Sequence, residues 1–230
     1  MKKLISSFLL ITILLTSFLT TAYAESNKSV EIKATDGRIV NFTIKAGLKP
    51  DLAILENIAN NNPDTTAFTI LDIGLAELTS ANSQINKNDN LAATDGKMGI
   101  AAIPVPIPFT LTKNQTQSNV FESDRWMESC AKGQTKYVTT AIEAQLSPTY
   151  TGLVVGLSLN GSIKYTITSG TTLTGPPEGA YANCREYRCQ FYQNTGWWSQ
   201  QWLINGIVQT LYGSYAEPAY YYSYSRDLRI

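Results

Sequence analysis

The chain contains no histidine among its 230 residues, and this absence removes a large share of possible chemistry. Serine-histidine and cysteine-histidine nucleophile pairs cannot be built, nor can metal sites that use imidazole. A hydrolase would need a carboxylate pair of the kind that glycosidases use. The C-terminal half has eight carboxylates, and no spacing singles out two of them: Glu122, Asp124, Glu128, Glu143, Glu178, Glu186, Glu217 and Asp227. We therefore expect a protein that is not an enzyme and that uses no metal ion or other cofactor.

Charge is scarce as well, and neither sign is in excess. The 18 Lys and Arg residues balance the 18 Asp and Glu residues, so the formal net charge is zero. Binding to nucleic acid needs a concentrated basic patch, which makes nucleic acid an unexpected partner. Beyond the first 24 residues, no stretch is apolar and long enough to cross a membrane as a helix.

The first 24 residues have the pattern of an export signal. Lys2 and Lys3 precede an apolar run over residues 4–19, and Ala22-Tyr23-Ala24 closes it with the small-x-small pattern that signal peptidases cleave. The run is interrupted by serine and threonine and is shorter than the roughly 20 residues that a membrane span needs. We expect the mature protein to begin at Glu25 and to be secreted.

Cysteine occurs only at Cys130, Cys184 and Cys189. In an exported protein such spacing more often indicates a disulfide than a metal site. Cys184 and Cys189 are five residues apart, so they face opposite ways if they share a strand, and only one of them can reach Cys130. We expect one bridge among the three and one leftover thiol. The spacing leaves open which pair forms, and a link between two molecules or a reactive thiol is the alternative.

The first part of the mature chain predicts a small α+β unit over residues 25–80. The turn sequence Thr35-Asp36-Gly37 joins two segments of alternating hydrophobicity, because its glycine can take the left-handed conformation that such turns require. The predicted elements are a hairpin, a helix and a third strand, over residues 30–44, 50–59 and 66–73. A polar and then proline-rich connector is expected over residues 81–115, where alternating prolines favour an extended path.

The remainder of the chain, residues 116–230, predicts an antiparallel β-sandwich, so the fold as a whole is expected to be mainly β. Short strand patterns recur at intervals of roughly 10 residues, without a long helical pattern. The most regular alternation, over residues 153–167, predicts a hairpin with the three-residue loop Asn160-Gly161-Ser162. Asn205-Gly206 predicts a two-residue turn, which places Trp202 and Leu211 on one face.

Aromatic residues are concentrated near the C-terminus and suggest a binding function. Because neighbouring residues in a strand face opposite ways, some rings of the aromatic runs should reach the surface, where they can stack on sugar rings or contact proteins. The candidate ligand-binding residues are Trp197, Trp198, Tyr220 and Tyr222. The first functional hypothesis is a secreted binding protein whose extracellular ligand is a glycan, a cell-wall polymer or another protein. The structural alternative is that most of these rings fill the core and cover sheet edges.

The amphipathic segment 153–167 supports a second hypothesis from a different class. Strands of roughly 9 residues, apolar on one side and rich in Ser, Thr, Asn and Gly on the other, are what a transmembrane β-barrel pore requires of each subunit. Any sandwich strand with one buried face shows the same pattern. The alternative function is therefore a pore-forming or membrane-damaging protein that inserts this hairpin.

Overall fold

The structure is a computed structural model that describes residues 26–76 and 107–230. The predicted export signal and most of the predicted connector lie outside the described residues. The described chain is mainly β, as expected, with one short helix, α1 (Leu52–Asn60). Its strands are β1 (Lys28–Lys33), β2 (Ile39–Ile44), β3 (Ala67–Leu75), β4 (Ile107–Ala131), β5 (Thr135–Tyr137), β6 (Ile142–Leu146), β7 (Thr149–Tyr150), β8 (Ile163–Ile167), β9 (Thr172–Thr174), β10 (Cys184–Ile204) and β11 (Ile207–Leu228).

The N-terminal part of the described chain contains two strands, a helix and a third strand. Strands β1 and β2 pair antiparallel around the turn Thr35-Asp36-Gly37, and Gly37 has a φ of 88°. Helix α1 begins after Asp51, whose carboxylate accepts a hydrogen bond from the Ala53 amide at 3.0 Å and thereby caps the helix. Strand β3 then runs parallel to β2. Among the described residues, no helix is long and apolar enough to span a membrane.

Strands from both ends of the chain share one mixed sheet, in the order β1-β2-β3-β11-β10-β4. Three of these strands are unusually long: β4, β10 and β11 contain 25, 21 and 22 residues, against a usual length of about 5 to 6. Strand β7 also pairs with β11 in this sheet, and two small two-stranded sheets, β5-β9 and β6-β8, complete the described strands. The long strands carry one part of the sheet far beyond the rest.

Two buried clusters hold one end of the long strands in place. The first joins β1, β2, β3 and α1 to the aromatic side chains Tyr192, Tyr222 and Tyr224. The second joins the small sheets to Phe191 and Tyr221 of the large sheet. Tyr221 and Tyr222 are neighbours in β11, so the two clusters lie on opposite faces of the large sheet.

The predicted hairpin over residues 153–167 is wrong. Only Ile163–Ile167 of it forms a strand, β8, and this strand pairs with β6 rather than with residues 153–159. Residues 153–162 form no strand and pack against the long sheet instead. Alternating hydrophobicity specifies that one face is buried, but it does not specify which neighbour covers that face.

The two other local predictions for this part of the chain had different outcomes. The Asn205-Gly206 turn is confirmed: Ile204 pairs with Ile207, and both turn residues have positive φ, 53° and 75°. Residues 107–115, which the sequence assigns to the connector, instead form the beginning of β4. Proline is tolerated there because β4 is the edge strand of the large sheet, where one side needs no ladder donor.

The predicted disulfide is also wrong, because Cys130, Cys184 and Cys189 are all free. Cys130 lies opposite Arg185 of β10, which puts it on the opposite face from Cys184. Cys189 shares the face of Cys130 but lies four residues from Arg185. That is about 13 Å along the strand, beyond the roughly 4.4–6.8 Å between Cα atoms that a bridge tolerates. Burial raises the pKa of the Cys189 thiol, so it stays protonated and unreactive.

Candidate functional site

The long strands continue past the two buried clusters as a three-stranded sheet, which we call the distal sheet. It comprises residues 107–120 of β4, 193–204 of β10 and 207–219 of β11. These three segments contain only two charged residues, Lys113 and Glu217. Their other polar residues are serine, threonine, asparagine and glutamine. Apart from Lys113 and Glu217, the polar side chains of the distal sheet are therefore uncharged.

One face of the distal sheet is covered by residues 151–162, which we call the strap. The strap contains no charged residue and has leucine or valine at five of its positions. Leu159 is buried against Trp198 and Tyr215 of the distal sheet. Partly buried side chains complete this small cluster: Leu111, Val154, Leu157 and Leu211. Apolar contact with the sheet therefore helps to keep the strap in place.

The strap follows directly after strand β7, which pairs with the free edge of β11, and it then leaves that edge. Strand β7 pairs with Tyr215 and Ala216, and the Thr151 amide continues the ladder by donating to the Ser214 carbonyl at 2.9 Å. The Trp198 indole then donates to the Thr151 carbonyl at 3.0 Å. A Cβ atom on Gly213 would overlap both that carbonyl oxygen and the indole ring, so glycine is required for the strap to approach this closely.

Further along, side chains of the distal sheet bind the strap backbone. The buried Gln200 amide donates to the Val155 carbonyl at 2.8 Å and accepts from the Val155 amide at 2.9 Å. Glu217 accepts from the Asn160 amide at 2.8 Å. Within the described part of the chain, the hydrogen bonds of the backbone over residues 152–162 go to side chains rather than to a neighbouring strand.

The two charges of the distal sheet meet under the strap. Lys113 Nζ lies 2.8 Å from the Glu217 carboxylate, which is 5% exposed, and it also donates to the Ser158 carbonyl at 3.0 Å. The same ammonium group lies 4.9 Å from the centre of the Tyr215 ring. Burial, with a contribution from the Glu217 charge, raises the pKa of Tyr215, so the phenol stays neutral. No charge of the distal sheet is left without a partner.

The opposite face of the distal sheet, which we call the open face, is exposed and amphipathic. Trp197 is 44% exposed and Tyr212 is 69% exposed. Strand pairing places them diagonally, because Trp197 lies opposite Ser214 and Tyr212 lies opposite Ser199. Leu203 and Val208 face each other nearer the tip and are also exposed. Hydroxyl and amide side chains separate these apolar groups.

The four aromatic residues expected to bind a ligand do not lie together. Trp198 is fully buried under the strap, while its neighbour Trp197 lies on the open face. Tyr220 and Tyr222 lie outside the distal sheet, in the first buried cluster. Tyr222 is opposite Gln190, seven residues from Trp197, which corresponds to about 23 Å along the strand. These four residues therefore form no single aromatic face.

Tyr220 and Tyr222 line a separate groove of about 380 Å³ between β3, β11 and the segment before α1. The Tyr222 hydroxyl accepts a hydrogen bond from the Asp51 amide at 2.9 Å. The Tyr220 ring stacks on Tyr192 with ring centres 5.0 Å apart. Both tyrosines thus pack the protein interior as well as lining the groove.

The sequence interpretation missed the residues that hold the strap. Gln200, Glu217 and Lys113 contact it although they are distant from it in the sequence, so no local pattern pointed to them. One signal was present: charge disappears from residues 193–216 of the sequence and from the strap itself. Because charged residues are rarely buried without a partner, a charge-poor stretch is compatible with burial of one of its faces.

The carboxylates considered for catalysis are mostly engaged in ion pairs. Asp124 lies 3.0 Å from Arg188, and Asp227 lies 2.6 Å from Arg185. The remaining paired carboxylates are Glu122, Glu128, Glu143, Glu186 and Glu217.

Comparison of the chain with protein-family models, with curated proteins and with solved structures found no match. Function is therefore inferred from the geometry of the strap and the distal sheet.

Proposed function

We propose that this protein is secreted, is not an enzyme, and damages membranes by inserting the chain around residues 153–167 into the bilayer. The observation that carries the proposal is the lack of charged residues in the strap and on the open face of the distal sheet. Placing a lysine or arginine on the lipid-facing side of a barrel costs roughly 2–4 kcal/mol at the bilayer midplane, and the strap would incur no such cost.

The way the strap is attached supports the same function. Its apolar side chains are buried by packing, and its backbone is bonded to side chains such as Gln200 and Glu217. Releasing it would leave the pairing of β10 with β4 and β11 intact. A segment that inserts into a membrane must be able to leave its soluble position without unfolding the protein.

A second candidate function is extracellular binding of a glycan, a cell-wall polymer or a protein. The observation that favours it is the open face, where Trp197 and Tyr212 are exposed among serine and threonine residues. Exposed aromatic rings of this kind stack on sugars and contribute to protein interfaces. In neither proposal is nucleic acid a partner.

We also propose the two-part organisation expected from the sequence. It consists of a small α+β unit over residues 25–80, a connector over residues 81–115, whose end from residue 107 forms the beginning of β4, and an antiparallel β-sandwich over residues 116–230. The packing of α1 in the first cluster and of the two small sheets in the second supports this division, while the large sheet and Tyr192, Tyr222 and Tyr224 join the two parts. Secretion would follow from the export signal over residues 1–24.

Dye release from vesicles tests the proposed membrane activity. Purified mature protein is added to vesicles of mixed zwitterionic and anionic phospholipids, and we expect dye to escape. Leu157→Asp should abolish the release, because it introduces a charge on the apolar side of the inserted segment. Leu52→Asp is the matched control, since Leu52 is an exposed leucine at the start of α1, outside the strap.

The same preparation separates the two candidate functions. Intact vesicles, together with retention of the protein on a glycan or cell-wall preparation, would favour the binding function and contradict the membrane proposal. Dye release that Leu157→Asp leaves unchanged would show that another part of the chain acts on the membrane.

A further inference from the structure

Strands β6 and β8 already form the base of a hairpin. They pair antiparallel, with Ile142 opposite Ile167 and Leu146 opposite Ile163. The chain between them, residues 147–162, contains β7 and the strap. If the register of β6 and β8 continued along this chain, Ser147 would pair with Ser162, and both strands would become longer with no residue skipped on either side.

Side-chain chemistry follows this extended register closely. In the existing base, the side chains of one face are apolar or aromatic and are buried or partly buried, whereas Glu143, Gln145 and Lys164 on the other face are exposed. Extension would add residues without a charge or an amide to the buried face: Pro148, Tyr150, Gly152, Leu157, Leu159 and Gly161. It would add small polar residues to the exposed face: Ser147, Thr149, Thr151, Ser158, Asn160 and Ser162.

The loop that closes the extended hairpin is also compatible with this register. Pairing of Gly152 with Leu157 leaves a four-residue loop, Leu153-Val154-Val155-Gly156, which is a common hairpin length. Gly156 already has a positive φ of 79°, which is a conformation that hairpin loops use. The apolar loop places leucine and valine, rather than charged groups, at the leading end of the hairpin.

We propose that residues 142–167 are the membrane-crossing hairpin, with strands over 142–152 and 157–167 in the β6-β8 register and with the face of Leu157 and Leu159 towards lipid. This inference rests on the proposed membrane function, and it requires β6 and β8 to leave the second buried cluster, in which Leu146 and Ile163 pack in the unbound protein. Each strand would have about 11 residues, which is the length that a tilted transmembrane strand needs. Glu143 and Lys164, which are paired at 2.9 Å, would lie near the base on the polar face.

Backbone hydrogen bonding explains why the strap must enter the bilayer as a paired strand rather than as an unpaired coil. Every backbone amide and carbonyl that enters lipid has to be paired, because no water is present there. In the soluble protein, Gln200 and Glu217 bind strap backbone groups of this kind. In the bilayer, the opposite strand of the hairpin would bind these backbone groups in place of Gln200 and Glu217. A single hairpin has two open edges, so several copies of the chain must join to close a barrel.

A reversible tether tests whether the strap has to leave the distal sheet. The side-chain oxygens of Thr151 and Ser214 are 3.1 Å apart, so Thr151→Cys with Ser214→Cys places two thiols within bridging reach. We expect the oxidised double variant to release dye at least about 10-fold more slowly than either single variant, and reduction to restore the rate. The control tether is Glu31→Cys with Asn41→Cys, an exposed opposite pair in β1 and β2.

The register itself is tested in vesicle-bound protein. Thr151→Cys with Ser158→Cys should form a disulfide after membrane binding, because these positions face each other only in the extended hairpin. Formation of a bridge between Leu153→Cys and Tyr212→Cys instead would show that the strap extends β7 along β11, which would overturn the proposed register. Dye release that persists in the oxidised Thr151-Ser214 tether would overturn the inference while leaving the membrane function standing. Absence of release by the unmodified protein would contradict the proposed function itself.

Discussion

The same three strands behave differently at their two ends. We call residues 121–131 of β4, 184–192 of β10 and 220–228 of β11 the proximal sheet. It is covered on both faces by buried clusters. The distal sheet is covered on one face only, by the strap. The proximal sheet therefore has the packing of a stable scaffold, and the distal sheet has that of a surface from which a segment can be withdrawn.

Charge separates the two ends even more clearly than packing does. The proximal sheet contains a chain of ion pairs in which Arg188 contacts both Asp124 and Glu186, and Arg226 contacts Glu186. These side chains are 16–19% exposed. The distal sheet has one ion pair, Lys113 with Glu217. A fully satisfied network of partly buried charges rigidifies the structure around it.

A large loss of stability is expected from a change in the proximal network. Asp124→Ala would leave Arg188 without its closest carboxylate and remove the acceptor to which the Tyr224 hydroxyl donates at 2.6 Å. Removing one partner of a buried ion pair costs about 3 kcal/mol or more. We expect that loss in the free energy of unfolding, measured by urea denaturation.

The control for this variant is Glu143→Ala, which breaks the exposed pair with Lys164, where the two side chains are 49% and 48% exposed. It should cost less than about 1 kcal/mol. Equal losses for the two variants would mean that the proximal network does not stabilise the scaffold in the way its burial indicates.

Local elements were predictable from the sequence because their signals are local. The hairpin of β1 and β2 follows from alternation around Thr35-Asp36-Gly37, and α1 follows from helical spacing after Asp51. The Asn205-Gly206 turn follows from turn chemistry alone. In each case the residues that decide the structure are within a few positions of one another.

The strap could not be predicted, because its partners are remote in the sequence. The alternation from Leu153 to Ile167 indicates burial of one face, but Gln200 and Glu217 decide where the first half of it lies. Trp197 and Trp198 show the same limit: alternation predicts that they face opposite ways, but not that Trp198 is the covered one. The sequence therefore predicted which segment forms the candidate site, but not which residues it contacts in the fold.

A smaller and more local effect is expected where the strap meets the distal sheet. Gly213→Ala would press a methyl group into the Thr151 carbonyl and the Trp198 ring, at a cost of about 1–3 kcal/mol. Because the strap is the movable partner, we expect it to detach while the proximal sheet stays folded. Chymotrypsin, which cleaves after leucine, should then cut within residues 151–162 faster than in the unmodified protein.

Gly179→Ala is the matched control for this variant, because a Cβ atom at Gly179 meets nothing within 4 Å. It should leave the rate of cleavage unchanged. If Gly213→Ala resists the protease as the unmodified protein does, the strap is held more firmly than its side-chain contacts suggest. The distal sheet would then belong to the rigid scaffold.

The smallest effect is expected on the open face, where two neighbouring tryptophans provide the comparison. Trp197→Ala removes a ring that is 44% exposed, so the free energy of unfolding should change by about 0.5 kcal/mol. Trp198→Ala removes the fully buried ring that holds Leu159 and the Thr151 carbonyl, and such a change typically costs about 3–5 kcal/mol. If urea denaturation gives comparable losses for both variants, the open face is covered in solution and the contrast between the two faces of the distal sheet does not hold.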